Sequence, residues 1–164
     1  MAIMAICVFI TTLSFASTFS LNGKWLDTDN NQTTIMQQEG KIILNSKNIK
    51  MNGSIKGDTI SVIMDKVVLK GVISSGNLTI TWNNGSVWYR DISGAWQGNN
   101  KNTCSVEQKS NILRIKNAKG ETEFLGFVQS NGFTLINNST NTSLSGTLNS
   151  PNEIKWSDGV IWKK

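Results

Sequence analysis

Ile80-Thr81-Trp82-Asn83-Asn84-Gly85-Ser86-Val87-Trp88-Tyr89-Arg90 decides how the chain is read. Asn-Gly between two alternating runs is the strongest short signal for a β-hairpin. Asn tolerates a positive φ, and Gly adopts one without penalty. Taking Asn84-Gly85 as a two-residue type I′ loop, Trp82 pairs with Val87 and Thr81 with Trp88. Side chains alternate across a strand, so Ile80, Trp82 and Val87 share one face, and Thr81 and Trp88 share the other. The chain closes on a second version, Ile154-Lys155-Trp156-Ser157-Asp158-Gly159-Val160-Ile161-Trp162-Lys163-Lys164. By the same register, Trp156 and Ile161 face the core, and Lys155 and Trp162 face away from it.

The echo divides the chain into two copies, residues 21–90 and 92–164, joined through Asp91. Leu21-Asn22-Gly23-Lys24-Trp25 matches Ile92-Ser93-Gly94-Ala95-Trp96. Thr34 falls opposite Cys104, Ile42-Ile43-Leu44 opposite Ile112-Leu113-Arg114, Gly53 opposite Gly126, Ile60 opposite Phe133 and Leu69 opposite Leu144. All six Trp take matched positions, three per copy. Each copy is a train of short alternating runs separated by turn residues, with no apolar pattern at helical spacing. The expected fold is all-β: two tandem repeats of about 70 residues, each a small antiparallel meander or up-and-down barrel. Closure would remove exposed strand edges, and a one-residue junction requires the two units to touch.

Composition places the chain among globular proteins, with 38% hydrophobic and only 16% charged residues. Its polarity comes from Asn, Ser, Thr and Gly. The formal charge of +5 is spread evenly, with eight Lys/Arg and five Asp/Glu in each copy. No basic cluster exists, so nucleic acid is not an expected partner. Residues 1–20 hold no charged side chain, and Ala2 to Phe15 is mostly apolar. Small residues follow, so this stretch is expected to be a signal peptide cut between residues 16 and 20. No later run is long and apolar enough to span a bilayer, so no membrane association is expected of the mature chain. A secreted, extracellular protein follows, with Cys104 as its single thiol. Asn-x-Ser/Thr sites occur at Asn31, Asn52, Asn77, Asn84, Asn137, Asn138 and Asn141. Asn84, Asn137, Asn138 and Asn141, in predicted turns, are the best candidates for glycosylation.

Gly23-Lys24-Trp25 and Gly94-Ala95-Trp96, each opening an antiparallel meander, resemble the Gly-x-Trp of the first strand in lipocalins and avidins. Leu21-Asn22-Gly23-Lys24-Trp25-Leu26-Asp27 is most similar to the avidin opening. The resemblance implies a calycin-like barrel in which Trp25 and Trp96 pack across the closed end. Each copy is half the length of such a barrel, and no ligand-binding residue of those families can be matched here.

The chemistry available is narrow. There is no His, which removes the commonest general base and metal ligand and any Ser-His-Asp or Cys-His arrangement. One thiol in the mature chain excludes a cysteine zinc cluster. Among the carboxylates only Glu121 and Glu123 lie close in sequence, and they read as a solvated strand edge. No cofactor or metal site is expected, and the chain reads as a non-enzyme. The recurring groups are indoles. Trp25, Trp96, Trp82 and Trp156 are expected in the core. Trp88 and Trp162, beside Thr81 and Lys155, are expected on the outer face as candidate binding groups for glycans or an extracellular protein, used bivalently. The other expectations are a self-associating filament or coat subunit and, less favoured, a lipocalin-like carrier of a small apolar ligand.

Overall fold

The computed structural model describes residues 20–47 and 49–164; the expected signal peptide and its cleavage region lie outside them up to residue 19. The described chain is all-β. Copy one forms β1 (Gly23–Leu26), β2 (Gln32–Gln38), β3 (Lys41–Ser46), β4 (Ile49–Lys56), β5 (Thr59–Met64), β6 (Val67–Ile73), β7 (Thr79–Trp82) and β8 (Val87–Arg90). Copy two forms β9 (Gly94–Gly98), β10 (Thr103–Lys109), β11 (Ile112–Lys116), β12 (Thr122–Val128), β13 (Phe133–Asn137), β14 (Ser143–Ser150), β15 (Glu153–Trp156) and β16 (Ile161–Lys163). Every neighbour pairs antiparallel, and each set of eight closes on itself: β1 on β8 and β9 on β16. The result is two up-and-down barrels in tandem.

Alternation builds both cores. Ile35, Ile42, Leu44, Ile60, Val62 and Ile80 point inward from successive strands of the first barrel, around Trp25 and Trp82. Val106, Leu113, Ile115, Phe133, Leu135 and Ile154 do so in the second, around Trp96 and Trp156. All four of these indoles are buried. The bores are narrow, and glycines make room for the rings. Gly146 pairs with Trp156, and a Cβ placed there would lie 2.6 Å from Trp156 Cε3. Gly71 pairs with Trp82 and would meet Cε3 of that ring at 3.0 Å. The barrels touch: Leu78 and Tyr89 of the first pack into the core cluster of the second, and Gly76 N–H donates to the Ser130 carbonyl at 3.2 Å.

The hairpin register corrects the sequence reading. Trp82 N–H donates to Ser86 O at 2.9 Å and Gly85 N–H to Trp82 O at 3.0 Å, so the loop has three residues, Asn83 to Gly85. Only Gly85 takes a positive φ, +85°. This is a type I turn closed by a left-handed glycine. The Asn84 side chain accounts for the choice: its Oδ1 accepts Ser86 N–H at 3.1 Å and Ser86 Oγ–H at 2.8 Å, an Asx turn that holds Asn84 out of the left-handed region. Asp158 does the same for Val160 N–H at 3.0 Å, and Gly159 takes φ +86°. The extra loop residue moves the pairing by one. Ile80 lies opposite Trp88 and Thr81 opposite Val87; Ile154 lies opposite Trp162 and Lys155 opposite Ile161. A one-residue slip reverses every side chain. Trp88 and Trp162 therefore turn inward, and they do not share a face with Thr81 and Lys155, which are exposed on the outer wall.

The alignment of the copies also moves by one residue in two strands. Trp25 pairs with Thr33 and Trp96 with Cys104, so Cys104 corresponds to Thr33 rather than Thr34. Gln37 pairs with Ile42 and Gln108 with Leu113, so Ile42 corresponds to Leu113 rather than Ile112. No shift separates the copies from Leu21 and Ile92 through Leu44 and Ile115. The first length difference falls at the β3–β4 and β11–β12 turns.

Gly146→Ala is expected to destabilise the protein by about 1–3 kcal/mol, the usual cost of overpacking a filled core, read as a lower urea midpoint at constant slope. Gly85→Ala meets no neighbouring atom within 4 Å and should cost only the strain of its φ, about 1 kcal/mol.

Candidate functional site

Each barrel has a capped end and a mouth, built from the same residues in both copies. At the capped end Leu21 N–H donates to Gln37 Oε1 at 2.9 Å, and Trp25 Nε1–H donates back to Leu21 O at 3.0 Å. Copy two repeats this with Ile92, Gln108 and Trp96 at 2.8 and 2.8 Å. A cation at the end of the last strand, or one residue past it, closes each cap. Arg90 sits 4.7 Å from the Trp25 ring centroid and donates to Asn22 O; Lys164, its counterpart, sits 4.9 Å from Trp96 and donates to Ser93 O. Arg90 also donates to Asn77 O and Ser20 O, and its burial draws its pKa down to about 10. The guanidinium stays charged at neutral pH, attracted to the ring face. Both caps are spent on structure.

The mouths differ from the caps and from each other. In each, a buried Trp meets a half-buried one edge to face: Trp82 with Trp88 at 4.8 Å and 61°, Trp156 with Trp162 at 4.7 Å and 63°. Among the described residues neither Trp82 Nε1 nor Trp156 Nε1 has a hydrogen-bond partner, although both are buried. The Cε3 edge of each ring lies against a glycine on one neighbouring strand, so the edge carrying Nε1 turns toward the other neighbour and its Trp. Both nitrogens are enclosed by the surrounding rings and strands rather than presented to the mouth.

Around the first mouth the rim is apolar. Ile49, Met64 and Val67 are exposed there, and Ile63 and Val68 flank them on the same hairpin. The second mouth opens into a cavity of about 170 Å³. Trp156, Trp162 and Phe124 supply its aromatic lining, Asn100, Asn102 and Asp158 its polar rim, and Cys104 its wall. Glu123 completes the set through a local irregularity. Ile115 pairs with Phe124, but Lys116 pairs with Thr122, so Glu123 is the extra residue of a β-bulge. Bulges re-aim side chains, and here a residue on the outward parity of β12 lines the cavity. β3 and β4 keep an unbroken register, so copy one has no counterpart. A larger groove of about 720 Å³ on the outer wall of the first barrel, over Met36, Ile43 and Gly53, has no comparable convergence of aromatic and polar groups.

The candidate residues named from sequence thus separate. Trp162 lines the cavity, Trp88 packs in the other barrel, and Thr81 and Lys155 lie on outer walls away from both indoles. Asn84, Asn138 and Asn141 are exposed, and Asn137 is partly covered, its Oδ1 accepting Ser139 and Thr140 N–H. Glu121 and Glu123 are both exposed, as expected of solvated strand residues, and Glu123 in addition lines the cavity. The signal that marks it is the longer β11–β12 turn of copy two, visible once the copies are aligned without a shift up to Ile115. Comparison with known protein families, characterised proteins and solved structures yields no match.

Burial, with a smaller contribution from Glu123, pushes the Cys104 thiol up to about 11 from 9.0. The folded protein holds this proton more tightly than the unfolded chain, so the thiol's contribution to stability is lost as pH rises from about 9 to 11. At pH 8 the folded thiol is expected to react with an aromatic disulfide reagent roughly a hundredfold more slowly than after unfolding, because the thiolate is the nucleophile. Equal rates in the two states would contradict this placement.

Proposed function

We propose that the chain is a secreted, non-catalytic binding protein that takes a sugar ring in the mouth of its second barrel. The observation that carries the reading is the cavity lined by the Trp156–Trp162 pair and rimmed by Asn100, Asn102 and Asp158. Sugars present apolar C–H faces and radial hydroxyls. Indoles cover the first, and amide and carboxylate groups bond the second. A volume near 170 Å³ suits one ring at the end of a chain rather than an engulfed oligomer. The duplicated outward-Trp arrangement does not return, because Trp88 and Trp162 face inward; the site is a single one, in copy two.

Absence of His from the sequence supports a binding role over a catalytic one. The apolar run from Ala2 to Phe15 supports secretion, and exposed turn positions at Asn84, Asn138 and Asn141 suit glycosylation in a host that performs it. Filament growth by strand addition draws no support from two closed barrels, since closure leaves no edge to extend. Transport of an apolar ligand draws none from bores filled by side chains.

Binding on a glycan array is expected to fall at least tenfold in Trp162→Ala and to stay within twofold of wild type in Trp88→Ala. Equal loss in both variants, or in neither, contradicts a site in the second mouth.

A further inference from the structure

Resting on that reading of the second mouth, we propose that its ligand is a sugar carrying a free, protonated amine. The molecule bears a formal charge of +5, yet among the described residues the only charged ones lining this cavity are Glu123 and Asp158. Lys101, in the neighbouring β9–β10 loop, does not line it. Asn100, Asn102 and Thr103 already supply groups for sugar hydroxyls, and although a carboxylate also accepts from a hydroxyl, two of them give the mouth a negative charge that only a cationic ligand balances.

Two independent features place the carboxylates there. Glu123 reaches the mouth only because the β12 bulge inserts it, and the first barrel lacks that bulge. Asp158 is held by the hairpin turn, with Oδ1 on Val160 N–H at 3.0 Å, which leaves Oδ2 for a ligand. The aromatic lining adds to the same preference, since an ammonium beside an indole face is attracted to the ring quadrupole. Beside the carboxylates, the amides of Asn100 and Asn102 are available to sugar hydroxyls. Cation to the carboxylates, C–H face to Trp162 and hydroxyls to Asn100 and Asn102 together describe an amino sugar. A simple amine lacks the last two contacts, and a neutral sugar lacks the first.

Isothermal titration of the full chain at low salt, with a glucosamine tetramer, its fully N-acetylated counterpart and the neutral glucose tetramer, tests this. The glucosamine oligomer is expected to bind about tenfold more tightly than the other two, the gain two ion pairs at the exposed Glu123 and Asp158 supply, and to lose that margin at high salt. Glu123→Gln with Asp158→Asn keeps the shapes and the turn hydrogen bond. It is expected to bring the glucosamine oligomer down to the level of the others with the thermal midpoint unchanged. If all three oligomers bind alike and the double variant changes nothing, the amine preference is wrong and the sugar site stands. If none binds, or if binding survives Trp162→Ala, the sugar site itself is wrong and the amine preference falls with it.

Discussion

Closing eight strands of three to eight residues into a barrel leaves a bore that only a few large side chains can fill. The fit of an indole against a bare glycine backbone solves that problem here, at Gly71 with Trp82 and at Gly146 with Trp156. A core this small has little area to spare, so each ring carries a large share of the burial. The second Trp of each hairpin leans on the first edge to face, and the hairpin loop sets that arrangement. With a two-residue loop the rings would stand on opposite sides of the sheet. With three residues they meet inside.

The caps show how closely the copies keep their structural chemistry. A main-chain N–H on a glutamine, an indole N–H on the carbonyl of the same residue and a cation over the ring recur with changed residues but unchanged roles. Arg90 becomes Lys164, and Leu21 becomes Ile92. Cation and indole together seal an end that backbone pairing leaves open, and they satisfy carbonyls that would otherwise be stranded near the core.

Against that shared framework the mouths stand out because they diverge. The first carries exposed aliphatic side chains on the β5–β6 hairpin and at the start of β4. The second carries amides, two carboxylates and a cavity. A duplicated unit whose packing is kept in both copies while one open end changes its chemistry has separated the positions that hold the barrel from those free to vary. The bulge at Glu123 belongs to this divergence, interrupting the β11–β12 ladder beside the cavity; a second bulge, between Leu148 and Ser150, lies on β14 of the same barrel.

Local sequence determined a great deal. Alternation, Asn-Gly and Asp-Gly turns and the repeated Trp positions were enough for an all-β chain in two copies, for nearly every strand, and for the turns between them, because each rests on contacts only a few residues apart. Which way Trp88 and Trp162 point was settled elsewhere. It depends on whether the Asn84 and Asp158 side chains capture an N–H two residues on, and a one-residue difference in loop length reverses a whole strand. The closure of each sheet, the glycine seats for the indoles and the entry of Glu123 into the second mouth join residues far apart in the chain. Only the tertiary structure decides those, because register across strands is a collective property of the packed barrel and no single segment encodes it.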